Sequence, residues 1–111
     1  MKVWLNDNPT MTEPEGHFGG LASTDIIPFK GRNFAFQKAN VPPGGGGLSH
    51  SHDEWAQVFY IAEGQMTFDT GEERFVLTAG QSVLFEPHEP HGTINEGASD
   101  ATVLVITVEQ G

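Results

Sequence analysis

Cysteine is absent from the 111 residues, so the chain has no disulfide framework, no thiolate metal site and no cysteine nucleophile. Positive charge is scarce: five Lys and Arg face fifteen Asp and Glu, a formal net charge of -10. Nucleic acid and anionic membrane surfaces both need a basic footprint, so neither is expected as a partner. No apolar run approaches the roughly 18–20 residues of a membrane span. The segment Met1 to Asp7 holds one lysine and no long apolar stretch, so no secretory leader is expected and the cytoplasm is the expected location. No segment carries a sustained helical period with caps.

Turn-forming residues, in contrast, are plentiful. Fourteen glycines and seven prolines punctuate the chain every eight to twelve residues, which predicts an all-β sandwich or barrel. At this length one core uses the whole chain. Residues 1–32 read as an irregular N-terminal arm, with Ile26-Ile27-Pro28-Phe29 as an edge strand packing on the barrel. Residues 33–111 read as the barrel itself. Its expected strands are Asn33 to Val41, Leu48 to His52, Val58 to Ile61, Gln65 to Asp69, Arg74 to Leu77, Ser82 to Phe85 and Ala101 to Val108. Pro42 to Gly47 reads as a loop. The last strand is apolar enough for the middle of a sheet. Of the fifteen acids, eleven follow Lys38, where Arg74 is the lone basic residue. That reads as a solvated acidic surface.

Five histidines stand out: His17, His50, His52, His88 and His91. Side chains at i and i+2 of a strand share a face, so His50 and His52 can hold one metal ion together. Gln57 adds a neutral amide oxygen, and His91 follows the Pro87-to-Pro90 turn. Three imidazoles and an oxygen suit zinc, nickel, copper, iron or manganese. His17 lies in a glycine-rich segment and reads as a solvated loop residue, with a lid over the barrel mouth as the alternative.

The spacing of these residues resembles the two signature motifs of the cupin superfamily. Gly44, His50, His52, position 57 and Gly64 fall on the first motif; Gly80, His91 and Asn95 fit the outer spacing of the second. The sequence departs from the pattern at Gln57, where glutamate is usual, and at Glu86 and His88, where proline and glycine are usual, with the proline displaced to Pro87. The resemblance implies a cupin-type double-stranded β-helix, or jelly-roll, barrel. It also implies one divalent transition metal on His50, His52, Gln57 and His91. A glutamine ligand resembles cupins that cyclise polyketides or open the ring form of unsaturated uronates.

A metal-dependent enzyme acting on a small oxygen-bearing organic molecule is the leading expectation, of isomerase, cyclase or lyase type. His88 and Glu54 are the candidate acid or base. By strand parity Phe59 and Ile61 join Gln57 in lining the pocket, with Trp55 near the metal loop. A metal-dependent dioxygenase and a non-catalytic binding or sensing protein are the alternatives. A homodimer is expected, with Trp4-Leu5 and Ile26-Ile27 as segments exchanged between subunits.

Overall fold

The computed structural model describes residues 1–28 and 33–109. Among the described residues ten strands form: β1 (His17–Phe18), β2 (Ala22–Ile27), β3 (Phe34–Val41), β4 (Gly46–His50), β5 (Trp55–Glu63), β6 (Gln65–Asp69), β7 (Arg74–Thr78), β8 (Ser82–Phe85), β9 (His91–Ile94) and β10 (Ala101–Glu109). They build two five-stranded sheets, β1-β4-β9-β6-β7 and β2-β3-β10-β5-β8, with every pairing antiparallel. This is the jelly-roll of the cupin double-stranded β-helix. Among the described residues no helix is long and apolar enough to cross a membrane.

Most expected strands lie where the alternation placed them, and the apolar last strand, β10, is the centre of its sheet. Its register against β3 and β5 turns Val103, Val105 and Thr107 inward beside Ile61, Phe59 and Gln57. Fully buried Phe68, Ile61 and Val41 anchor the core between the sheets. Phe59 joins them edge-on to Phe68 and Phe85, with ring centres 5.5 and 5.9 Å apart, the geometry aromatic quadrupoles favour. The Thr70-Gly71 turn closes β6 on β7. There the Gly71 amide donates to Asp69 Oδ1 and Gly71 sits at φ 90°, a conformation open to glycine.

Three elements depart from the sequence expectations. The arm supplies strands to both sheets: β1 pairs with β4, and β2 pairs with β3, its first four residues, Ala22 to Asp25, having read as irregular. Of the expected Ile26-to-Phe29 strand, Ile26 and Ile27 end β2, while Phe29 lies outside the described residues. The glycine loop also contracts, because Gly46 and Gly47 are the first residues of β4. Glycine is required there for close approach: a Cβ on Gly46 would stand 2.0 Å from the Thr93 carbonyl oxygen. Finally, β4 stops at His50, so His50 and His52 do not share a strand. His52 lies in the connection to β5, and the i, i+2 parity rule is not what brings the pair together.

Asn95 ties the far end of β9 to the glycine loop. It is fully buried; its amide donates to the carbonyls of Val41 and Ser99, and its Oδ1 accepts from the Gly97 amide. Its backbone exchanges hydrogen bonds of 2.8 Å with Gly44 and Gly45. Asn95→Ala strips partners from the buried Val41 carbonyl and the half-buried Gly97 amide, and at about 1–3 kcal/mol per group left unsatisfied it is expected to destabilise the fold by about 3 kcal/mol. Urea unfolding of the variant against the parent measures this.

Candidate metal centre

Three strands and one connection converge at one end of the barrel. His50 ends β4, His91 begins β9 directly opposite it in the register, His52 follows β4, and Gln57 faces inward from β5. The imidazoles of His50, His52 and His91 each offer a nitrogen, and these nitrogens all lie within 4.8 Å of one another. Ring centres are 4.8 Å apart for His50 and His52 and 4.6 Å for His50 and His91.

The outer ring atoms set the tautomers. His50 Nδ1 donates to the Leu48 carbonyl at 2.9 Å, and His91 Nδ1 donates to the Glu89 carbonyl at 3.0 Å. Each bond holds the proton on Nδ1 and leaves Nε2 with a bare lone pair. Gln57 Nε2 donates to Thr107 Oγ1 at 3.1 Å, which turns its Oε1 toward the imidazoles. That oxygen lies 3.0 Å from His91 Nε2 and 3.1 Å from His52 Nε2.

A cation placed among Gln57 Oε1 and these imidazole nitrogens would meet a lone pair from each. A proton on His91 is disfavoured: the ring is 2 % exposed, and burial pushes its pKa below the ordinary histidine value, with the neighbouring His50 and His52 adding to the depression. The donor set therefore fits a divalent cation, with His50, His52, His91 and Gln57 to hold it. Phe85 stacks on the His91 ring at 4.4 Å and 16°, and Phe59 meets it edge-on at 5.6 Å, so the buried imidazole is fixed in orientation.

A cavity of about 580 Å³ opens beside this centre. His50, His52 and Gln57 line it at one end, and the deeply buried Val41, Met66, Phe68 and Val103 line it elsewhere. Phe59 lines it, as parity predicts. Ile61 does not: it shares that face but is wholly buried in the core cluster. Trp55 borders a second, shallow depression with Ser51, Asp53 and Glu54, which shares His52 with the cavity.

The two candidate acid–base residues also fall outside the cavity. Glu54 lines the outer depression and is exposed. The exposed His88 ring stands 3.5 Å from Asp53. The backbone of His88 matters more, since its amide donates to the His52 carbonyl at 2.6 Å and so braces a putting-together of two site loops. His88 sits at φ 72°, left-handed backbone that favours glycine, which accounts physically for the glycine usual at this position of the second motif.

Sequence reasoning missed Glu15 and read His17 as a loop residue, with a lid over the barrel mouth as the alternative. Both line the cavity, because β1 lays the arm along β4 with His17 opposite Gly47. The His17 ring packs so closely there that a Cβ on Gly47 would meet it at 3.0–3.1 Å. The signal was the glycine at position 47, whose need becomes visible only once β1 is paired.

A model of the cupin domain family matches residues 37–107, and the chain belongs to that family. An uncharacterised protein of Methanocaldococcus jannaschii is 30% identical over 76 residues, 68% of this chain; the chain spans 61% of that relative's length. Among solved structures, the polyketide cyclase RemF of Streptomyces resistomycificus matches with a TM-score of 0.85 at 20% identity, covering 97% of this chain and 79% of that one. A predicted oxalate decarboxylase of Thermotoga maritima matches with a TM-score of 0.82 at 20% identity, covering 91% of both chains. At such identities these two structures show the shared fold alone.

His88→Gly is expected to raise stability by about 1 kcal/mol by relieving the left-handed strain, and the exposed pair with Asp53 that it deletes contributes little. Thermal or urea unfolding reads the gain. Metal content should not change; its loss would make the His88 imidazole a ligand.

Proposed function

We propose that this cupin is an enzyme that binds one divalent transition metal through His50, His52, His91 and Gln57 and carries out a redox-neutral isomerisation, cyclisation or lyase reaction on a small oxygen-bearing organic molecule. The observation that carries this reading is the convergence of four uncharged donors, with no carboxylate among them, at the end of a largely apolar cavity. A metal held by neutral donors keeps its full positive charge and acts as a Lewis acid on a substrate oxygen.

The chain's own residues supply the rest. Phe59, Phe68, Val103 and Val105 hold the carbon skeleton and exclude water from that end of the barrel. Gln57 is fixed by Thr107 and presents its oxygen without a proton to lose. Apart from His50 and His52, the titratable side chains lining the cavity, among the described residues, are Glu15 and His17. His17 Nδ1 donates to the Glu15 carbonyl at 3.0 Å, which leaves Nε2 free to accept a substrate proton. We therefore assign the acid–base role to His17 in place of His88 and Glu54.

The test is a screen of zinc-loaded protein under nitrogen against hydroxylated aromatics, 1,3-diketones and sugar acids, with products read by mass spectrometry. The expected product is isomeric with its substrate or differs from it by one water. Its formation should fall by roughly 100-fold or more in His50→Ala/His52→Ala, in line with the loss of metal ligands, and fall with metal retained in His17→Gln. A product that gains oxygen atoms only with iron and air would make the protein a dioxygenase. Tight binding without turnover would make it a binding protein.

A further inference from the structure

We propose that Gln37, held by Asp25, is a second recognition point in the cavity, and that the substrate brings a hydroxyl or N–H group to it at a distance from its metal-binding oxygen. The inference rests on the metal-centred reading above and names the substrate class for it. Gln37 lines the cavity from β3. Its cross-strand row continues through Val105, Phe59 and Val83, so its amide stands in an otherwise apolar wall. Asp25 is its register partner on β2 and shares a face with Ser23, which lines the same cavity. Gln37 Nε2 donates to Asp25 Oδ1 at 3.1 Å. A carboxylate accepts and does not donate, so this bond fixes which way the amide is turned. Gln37 Oε1 is left as an acceptor with no protein donor among the described residues.

The register gives the spacing. Gln57 lies opposite Thr107 on one side of β10, and Gln37 lies opposite Val105 on the other. The two glutamines are therefore two strand spacings apart across the sheet and one inward row apart along it, roughly 12 Å between backbone positions. A molecule with an oxygen at the metal and a donor on Gln37 Oε1 has to bridge that span. The wall between them is Val105 and Phe59, which offer no hydrogen bond. The substrate class is thus a largely apolar body as long as two linked or fused rings, with a metal-binding oxygen at one end and a donor at the other. The cavity, at about 580 Å³, has room for such a body. Gln37 is half-buried and discriminates by what a wrong partner leaves undone. An ether oxygen set against Oε1 meets a lone pair, and bare carbon leaves the amide unsatisfied.

Isothermal titration of the zinc-loaded protein with three chelating probes tests this: para-phenylbenzohydroxamic acid and its forms bearing a para-hydroxyl or a para-methoxyl on the outer ring. The hydroxamate supplies oxygens to the metal, and the two rings carry the outer substituent toward Gln37. The hydroxyl probe is expected to bind about tenfold more tightly than the other two, as one net hydrogen bond implies. Gln37→Met keeps the side-chain length and loses the carbonyl oxygen; there the three probes should bind within about twofold of one another. In Asp25→Asn, at an exposed position, the Gln37 amide is free to turn, and the methoxyl probe should draw level with the hydroxyl probe. A Gln37 that only filled space would not respond to that change. Equal affinity for the three probes in the parent, or a hydroxyl preference that survives Gln37→Met, overturns the inference and leaves the metal-centred reading standing. So does binding of acetohydroxamic acid with none of the three longer probes. Binding of no hydroxamate at all overturns the metal-centred reading and this inference with it.

Discussion

The structure around the site depends on one geometric constraint: His52 Nε2 and His91 Nε2 both converge on Gln57 Oε1 at about 3 Å. Acceptor groups do not hold such positions unless the scaffold forces them or a cation joins them. Here the scaffold does much of the forcing. His91 is clamped by Phe85, by Phe59 and by the Glu89 carbonyl, and Gln57 is turned by Thr107. The two sheets, joined through the aromatic core, keep these groups in register. The fold thus gathers donors that run from the exposed His50 to the buried His91, and the neutrality of the set follows directly from glutamine at position 57.

The fold was legible because its signals are local. Alternation in Gln65 to Asp69, the Thr70-Gly71 turn and the continuous apolar run of Ala101 to Val108 each specify structure over a few residues. The cupin resemblance added the connectivity. What stayed illegible depends on long-range approach. β1 and β2 have no alternation of their own and become strands because β4 and β3 offer edges to pair with. Gly46 and Gly47 read as loop glycines, yet they are strand glycines demanded by Thr93 and His17.

The same distinction runs through the site. His50, His52, Gln57 and His91 were found from spacing, and the structure gathers all four at one end of the barrel. The parity argument for His50 and His52 was not the reason, because β4 ends between them. Ile61 has the right parity but lies too deep, and Trp55, Glu54 and His88 are near in sequence but open outward. Distance from the ligands along the chain is a poor guide to the cavity, whose wall includes a histidine from position 17.

The central claim is that one cation joins His50, His52 and His91 through Nε2. Long-range nitrogen–proton NMR of the histidine rings during zinc titration tests it most directly, since it resolves Nδ1 and Nε2 of each ring. The account predicts that Nε2 of these three histidines moves together to the metal-bound range, complete at one equivalent, while His17 and His88 keep their metal-free shifts. Zinc-dependent movement of His17 or His88 in place of any of the three, or no movement at all, would contradict it.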